Sequence, residues 1–233
     1  MRSRKHTARL AGLLYLLASL PAAFALIYIP SVFLATGDAA ATASRIAASR
    51  GLYQFGVFAE LASGAANICM AAVMYELFED VDRRQARLLV GFVFGMVVIG
   101  AFATVLLAAP LVLTGGAQYL SVFEKPQLDA LTQGVWGLRI RTLNAAALYW
   151  GLWLLPLGTL VYKSRFLPRL LGVFVFIAGC TYVVDSLVYF FLPRFGNLAF
   201  QLSSVPQGVG EGGFILYTLI KGVRDDAGAG DAV

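Results

Sequence analysis

Six stretches of this 233-residue chain are apolar over a length that matches a lipid bilayer: residues 10–33, 52–77, 88–112, 137–162, 170–191 and 199–220. At 1.5 Å of rise per residue, about 20 helical residues cross a hydrocarbon core of about 30 Å. Lipid offers no hydrogen bonds, so each such run must satisfy its own backbone, and a helix does so. The chain is 59% hydrophobic and only 13% charged, with a mean hydropathy of +0.77, well above an ordinary soluble domain. The expected fold is therefore all-α: a polytopic membrane protein with six transmembrane helices, a single domain over residues 1–222 and a disordered cytoplasmic tail at 223–233.

Orientation follows from Lys and Arg, which are enriched in short cytoplasmic loops. With the N-terminus inside, twelve basic residues fall on the inner side: Arg2, Arg4, Lys5 and Arg9; Arg83, Arg84 and Arg87; Lys163, Arg165 and Arg169; Lys221 and Arg224. Only Arg45, Arg50, Lys125 and Arg194 fall outside. Both termini are expected in the cytoplasm. The pI near 9.4 is a consequence of topology and of contact with membrane lipids, and nucleic acid is not an expected partner. Arg2 to Ala25 also imitate a cleavable leader, but the apolar run continues through Ile29 and so favours a span. Two short surface helices are expected on the outer face. One runs from an N-cap at Asp38 through Ser49 with Ile46 on its apolar side, and one opens at Pro126 and leads through Leu128 and Leu131 into the fourth span.

Charge inside such spans is expensive and persists where it is paired, faces a bundle interior or serves a substrate. Five charged side chains lie in or at the rims of the runs: Glu60, Arg139, Arg141, Asp185 and Glu211. Counted from the cytoplasmic ends, Glu60 and Asp185 rise about 25 and 22 Å, Asn67 and Glu211 about 14 to 15 Å, and Arg141 about 31 Å. Positions three, four and seven apart share a helix face. Arg141 aligns with Asn144 and is expected to point inward, whereas Arg139 points the other way and is expected at the head-group interface. The expected polar pocket, open to the outer face, comprises Glu60, Asn67, Arg141, Asn144, Asp185, Tyr189 and Glu211. Three acids facing one inward arginine leave at least one acid without a cation. That surplus points to binding or transport of a small amphiphile, lipid or cation. A non-catalytic subunit or scaffold with structural salt bridges is the alternative, and an intramembrane hydrolase using Asp185 and Glu211 is a weaker one.

Several chemistries lack candidates. His6 is the only histidine and precedes the first span, which argues against haem, di-iron and His-ligated zinc sites, and no lysine lies inside a span to form a Schiff base. No cofactor or metal is expected. Cys69 and Cys180 read as small apolar fillers.

The stretch Lys163-Ser164-Arg165-Phe166-Leu167-Pro168-Arg169-Leu170-Leu171-Gly172, continuing through Ala178-Gly179-Cys180-Thr181-Tyr182 to Asp185-Ser186-Leu187, resembles the bacterial integral-membrane family named domain of unknown function 4386. Ala8-Arg9-Leu10-Ala11-Gly12-Leu13-Leu14-Tyr15 and Gly37-Asp38-Ala39-Ala40 extend the resemblance from about Ala8 to Gly222. It implies a six-span prokaryotic membrane protein, expected in the inner (plasma) membrane of a bacterial cell. It implies no reaction or substrate, since the family has no assigned activity.

Overall fold

The computed structural model describes residues 3–223, so residues 224–233 of the expected tail lie outside the described residues. Among the described residues the regular structure is helical: α1 (Arg4–Phe33), α2 (Ala39–Ala48), α3 (Arg50–Phe78), α4 (Arg83–Leu113), α5 (Lys125–Lys163), α6 (Arg169–Phe191) and α7 (Gly196–Ile220), with short 3-10 turns at Gln118–Leu120 and Pro193–Phe195. The path of α1 widens to a π-turn at Phe24–Tyr28. This turn lies just ahead of Pro30, which has no N–H to return to the carbonyl four residues earlier.

Five of these helices, α1, α3, α4, α5 and α6, are long and apolar enough to cross a membrane. At 25 residues α7 has the length, but Gln201, Gln207 and Glu211 interrupt it, so that its most apolar stretch falls short of those of the other five. The small helix expected after Asp38 forms as α2. Asp38 Oδ1 accepts the Ala41 N–H at 2.8 Å, the capping bond that opens such a helix, and Ile46 is fully buried. The segment expected to open at Pro126 is continuous with the fourth span, giving one helix of 39 residues.

The chain forms two compact units, and α1, α3, α4 and α5 each give a segment to both. The first comprises Met1–Leu16, Ala66–Val97 and Asn144–Val233, within the described range. Its core gathers Tyr15, Met70, Met74, Phe78, Trp153 and Phe214 with many smaller side chains. The second comprises Leu17–Ala65 and Val98–Leu143. Ile29, Phe33, Ile46, Tyr53, Leu107 and Trp136 form its core, with Phe33 edge-on to Tyr53 at 5.0 Å and Tyr53 edge-on to Trp136 at 6.2 Å.

Within the first unit α5 and α6 touch backbone to backbone. Gly151 meets Gly179 and Gly158 meets Gly172, an antiparallel seam in which both helices carry glycines seven residues apart. A Cβ on Gly151 would lie 2.5 Å from the Gly179 carbonyl oxygen, and one on Gly172 would lie 2.6 Å from the Tyr162 nitrogen. Small residues are what permit such contact where apolar burial between spans contributes little. Gly210 plays the same part between α7 and α6: its Cβ would fall 2.7 Å from the Phe174 carbonyl oxygen. The next residue along α7 is Glu211. Cys69 and Cys180, expected as fillers, are free and exposed on the outside of the unit.

Candidate functional site

In the second unit the charged residues arrange themselves differently from the expectation. Arg139 is the inward arginine, with a side chain only 1% exposed, and it pairs with Glu60. Its Nη1 lies 3.1 Å from Glu60 Oε1 and 3.0 Å from Oε2, and also donates to the Ala103 carbonyl at 2.9 Å. The guanidinium lies 5.9 Å from the Trp136 ring centroid, a cation–π contact. Arg141, expected inward, is exposed and folds back on its own helix to the Gly137 carbonyl at 3.3 Å. The roles expected for the two arginines are thus exchanged, and Arg139 is not an interfacial residue.

The reason lies in which face of the helix is buried. Spacing matched Arg141 to Asn144, but Asp129, Thr132, Trp136 and Arg139 are the buried positions in the first half of α5, at spacings of three and four. Two residues further on, Arg141 has turned by about 200°.

In the first unit Glu211 accepts hydrogen bonds on both carboxylate oxygens. Tyr15 Oη donates to Oε2, and Tyr182 Oη donates to Oε1 at 2.7 Å. The phenols are held by aromatic neighbours: Tyr15 stands edge-on to Trp153 at 5.3 Å and tilted to Phe214 at 6.2 Å, and Tyr182 stands edge-on to Trp150 at 5.9 Å. Asp185 sits one turn along α6 from Tyr182 and is held from α7. Ser203 Oγ donates to its Oδ1 at 2.7 Å and Gln207 Nε2 to its Oδ2 at 2.9 Å. Among the described residues no basic side chain pairs with Glu211 or Asp185, and the two acids share no donor.

Of the seven residues expected to line one pocket, Glu60 and Arg141 belong to the second unit, and Asn67, Asn144, Asp185, Tyr189 and Glu211 to the first. In the first unit Asp185, on α6, is held by Gln207, which lies one turn before Glu211 on α7. Asn144 contributes its carbonyl to Ser186 Oγ at 2.8 Å, and Tyr189 stacks edge-on to Phe190 at 5.2 Å rather than reaching either acid. Asn67 is half-buried.

Four contributors were not among the expected site residues: Tyr15, Tyr182, Ser203 and Gln207. Tyr15 belongs to the buried stripe Ala8, Ala11, Tyr15, Ala18, and a phenol amid small residues needs a polar partner. Tyr182 was readable from its i, i+3 relation to Asp185. Ser203 carried no such signal: its neighbour Ser204 bonds the Gln201 carbonyl at 2.9 Å, and sequence alone does not tell the two apart.

Five helices long and apolar enough to cross a membrane, with carboxyl groups held between helices by neutral donors and by one arginine, are the pattern of a multi-pass membrane protein. A family model, domain of unknown function (DUF4386), matches residues 10–222, and the chain belongs to that family. An uncharacterized protein of Archaeoglobus fulgidus is 35% identical over 80 residues, covering 34% of this chain and 46% of that protein. The matched stretch thus spans about half the length of that relative. No solved structure matches the chain.

Proposed function

We propose that the chain is a six-span protein of the bacterial inner membrane, with both termini in the cytoplasm, that binds or moves a small cationic or amphiphilic solute at Glu211. The sixth span is α7, and its lower apolarity is the expected mark of a helix that faces a polar site rather than lipid on every side. The observation that carries this reading is the Glu211 clamp: an intramembrane carboxyl group bonded to two neutral phenols and to no base among the described residues. An acid whose charge no protein cation matches is where a proton or a cationic solute would sit. Asp185, one helical turn away through Gln207, supplies a second acceptor for the same solute. Glu60 has no such role, because Arg139 already matches its charge.

A structural reading has an observation of its own, since all four carboxylate oxygens of Glu211 and Asp185 are occupied by protein donors. Glu211 would then be helix glue. Thermal-shift titration of the purified protein with tetraphenylphosphonium, a lipophilic cation, separates the two. Binding by wild type that is lost in Glu211→Gln supports the site; a lowered melting temperature in the variant with no wild-type binding supports glue. Reporter fusions at residues 80, 166 and 221 test the topology and should all report cytoplasm, whereas fusions at 37, 121 and 194 should report the outer side.

A further inference from the structure

We propose that the α4–α5 groove of the first unit is a binding site for an anionic glycerophospholipid, with its phosphate on Arg84 and Arg87 and an acyl chain along the groove wall. This goes beyond the Glu211 reading and rests only on α4 and α5 lying in a membrane.

The groove has a volume of about 600 Å³. One end is made by Arg83, Arg84 and Arg87, and its wall by Leu88, Phe92 and Tyr149. Gly91 forms part of the lining, and a Cβ there would meet nothing within 4 Å, so the space beside it is open. The Tyr149 ring rests against Gly95, 3.0 Å from where a Cβ would stand. The wall is thus set by packing and does not need a ligand to form it.

Charge decides the occupant. Arg83 is matched by Glu79, 3.8 Å away on the preceding turn. Asp82, the other nearby acid, is taken by Lys163 at 2.7 Å and caps the Gln85 N–H at 3.1 Å. Arg84 and Arg87 are exposed and have no acidic partner among the described residues. Two unmatched guanidinium groups on successive turns suit phosphate oxygens, which arginine binds bidentately. From Arg87 to Phe92 the helix climbs about 8 Å from charge into apolar surface. A phospholipid has the same polarity gradient over the same distance, with the head group at the basic end and the chain beside Leu88 and Phe92. A free phosphate would leave the wall uncovered, and a neutral lipid would leave the arginines unmatched.

The test is affinity by native mass spectrometry of the intact protein, with phosphatidylglycerol and phosphatidylcholine of identical chains as probes. Phosphatidylglycerol should bind more tightly. Arg84→Gln/Arg87→Gln should weaken it by about thirtyfold, the factor for two juxtamembrane arginines, and leave phosphatidylcholine unchanged. Arg45→Gln/Arg194→Gln, which removes as many charges elsewhere, should keep the preference. Gly91→Leu should weaken phosphatidylglycerol without altering charge. Equal affinity for the two lipids would overturn the proposal, as would a preference that survives loss of Arg84 and Arg87. Displacement of phosphatidylglycerol by millimolar inorganic phosphate alone would also overturn it, by showing an ion site rather than a lipid site.

Discussion

Arg139 meets Glu60 through a single guanidinium nitrogen: Nη1 lies within 3.1 Å of both carboxylate oxygens and also holds the Ala103 carbonyl. Its Nε and Nη2 have no hydrogen-bond partner among the described residues. The pair is therefore matched in charge but only partly satisfied in hydrogen bonds. A buried ion pair of this kind is weak evidence for stability as a whole, yet removing one partner strands the other in an apolar setting.

Arg139→Gln should accordingly lower stability by about 3–5 kcal/mol, and Glu60→Gln should do the same. The double variant should cost less than the two added together, because neither charge is then left alone. Arg141→Gln should stay within about 0.5 kcal/mol. Denaturation of the purified protein in mild detergent reads all four, and a larger loss for Arg141→Gln than for Arg139→Gln would reverse the assignment.

Tyr15→Phe and Tyr182→Phe each remove one donor from Glu211 and leave the rings and their aromatic contacts in place. Each should cost about 1 kcal/mol. Their coupling should vanish in a Glu211→Gln background if the carboxyl group is what joins them. A double-mutant cycle by thermal denaturation measures this, and additive losses unaffected by Glu211→Gln would break the clamp.

The glycine seam makes a sharper steric prediction. Gly172→Ala sets a methyl group 2.6 Å from the Tyr162 nitrogen, a backbone atom that cannot swing away, and should cost about 1–3 kcal/mol. Gly100→Ala, whose Cβ would meet nothing within 4 Å, should be neutral or gain about 0.4–1 kcal/mol. Melting temperatures of the two variants should move in opposite senses or differ clearly in size.

Outside the spans, the hydrogen bond from Lys163 Nζ, with help from the Gln85 N–H, holds the Asp82 carboxyl group below its ordinary range. A carboxyl group lowered on folding stabilises the fold above its ordinary pKa and loses that contribution as pH falls through the lowered value. Stability should therefore drop in acid below about pH 4, the ordinary carboxylate range. Asp82→Asn should lose this component and be less stable than wild type at neutral pH. Melting curves from pH 7 to pH 3 check the sign, and an identical pH profile in the variant would contradict it.

Fold class was legible from apolar run length, and most helix positions followed it closely. What spacing could not show was which face of α5 turns inward: Arg141 and Asn144 share one face, but the buried one carries Asp129, Thr132, Trp136 and Arg139. Likewise Glu211 and Asp185 were visible as costly charges, but their partners were not. Tyr15 lies 196 residues from Glu211 along the chain, and the two meet because α1 and α7 approach closely at Gly12, where a Cβ would run into Thr218. Periodicity names the face a residue shares on its own helix; it says nothing about which helix lies opposite.

The reading of Glu211 as the seat of a cation or proton is tested most directly by uptake of tetraphenylphosphonium into proteoliposomes under an imposed pH gradient. Wild type should take up the cation above the level of empty liposomes, and Glu211→Gln, reconstituted to the same density, should fall to that level. Uptake by Glu211→Gln equal to that of wild type, or no uptake by wild type above empty liposomes, would contradict the account.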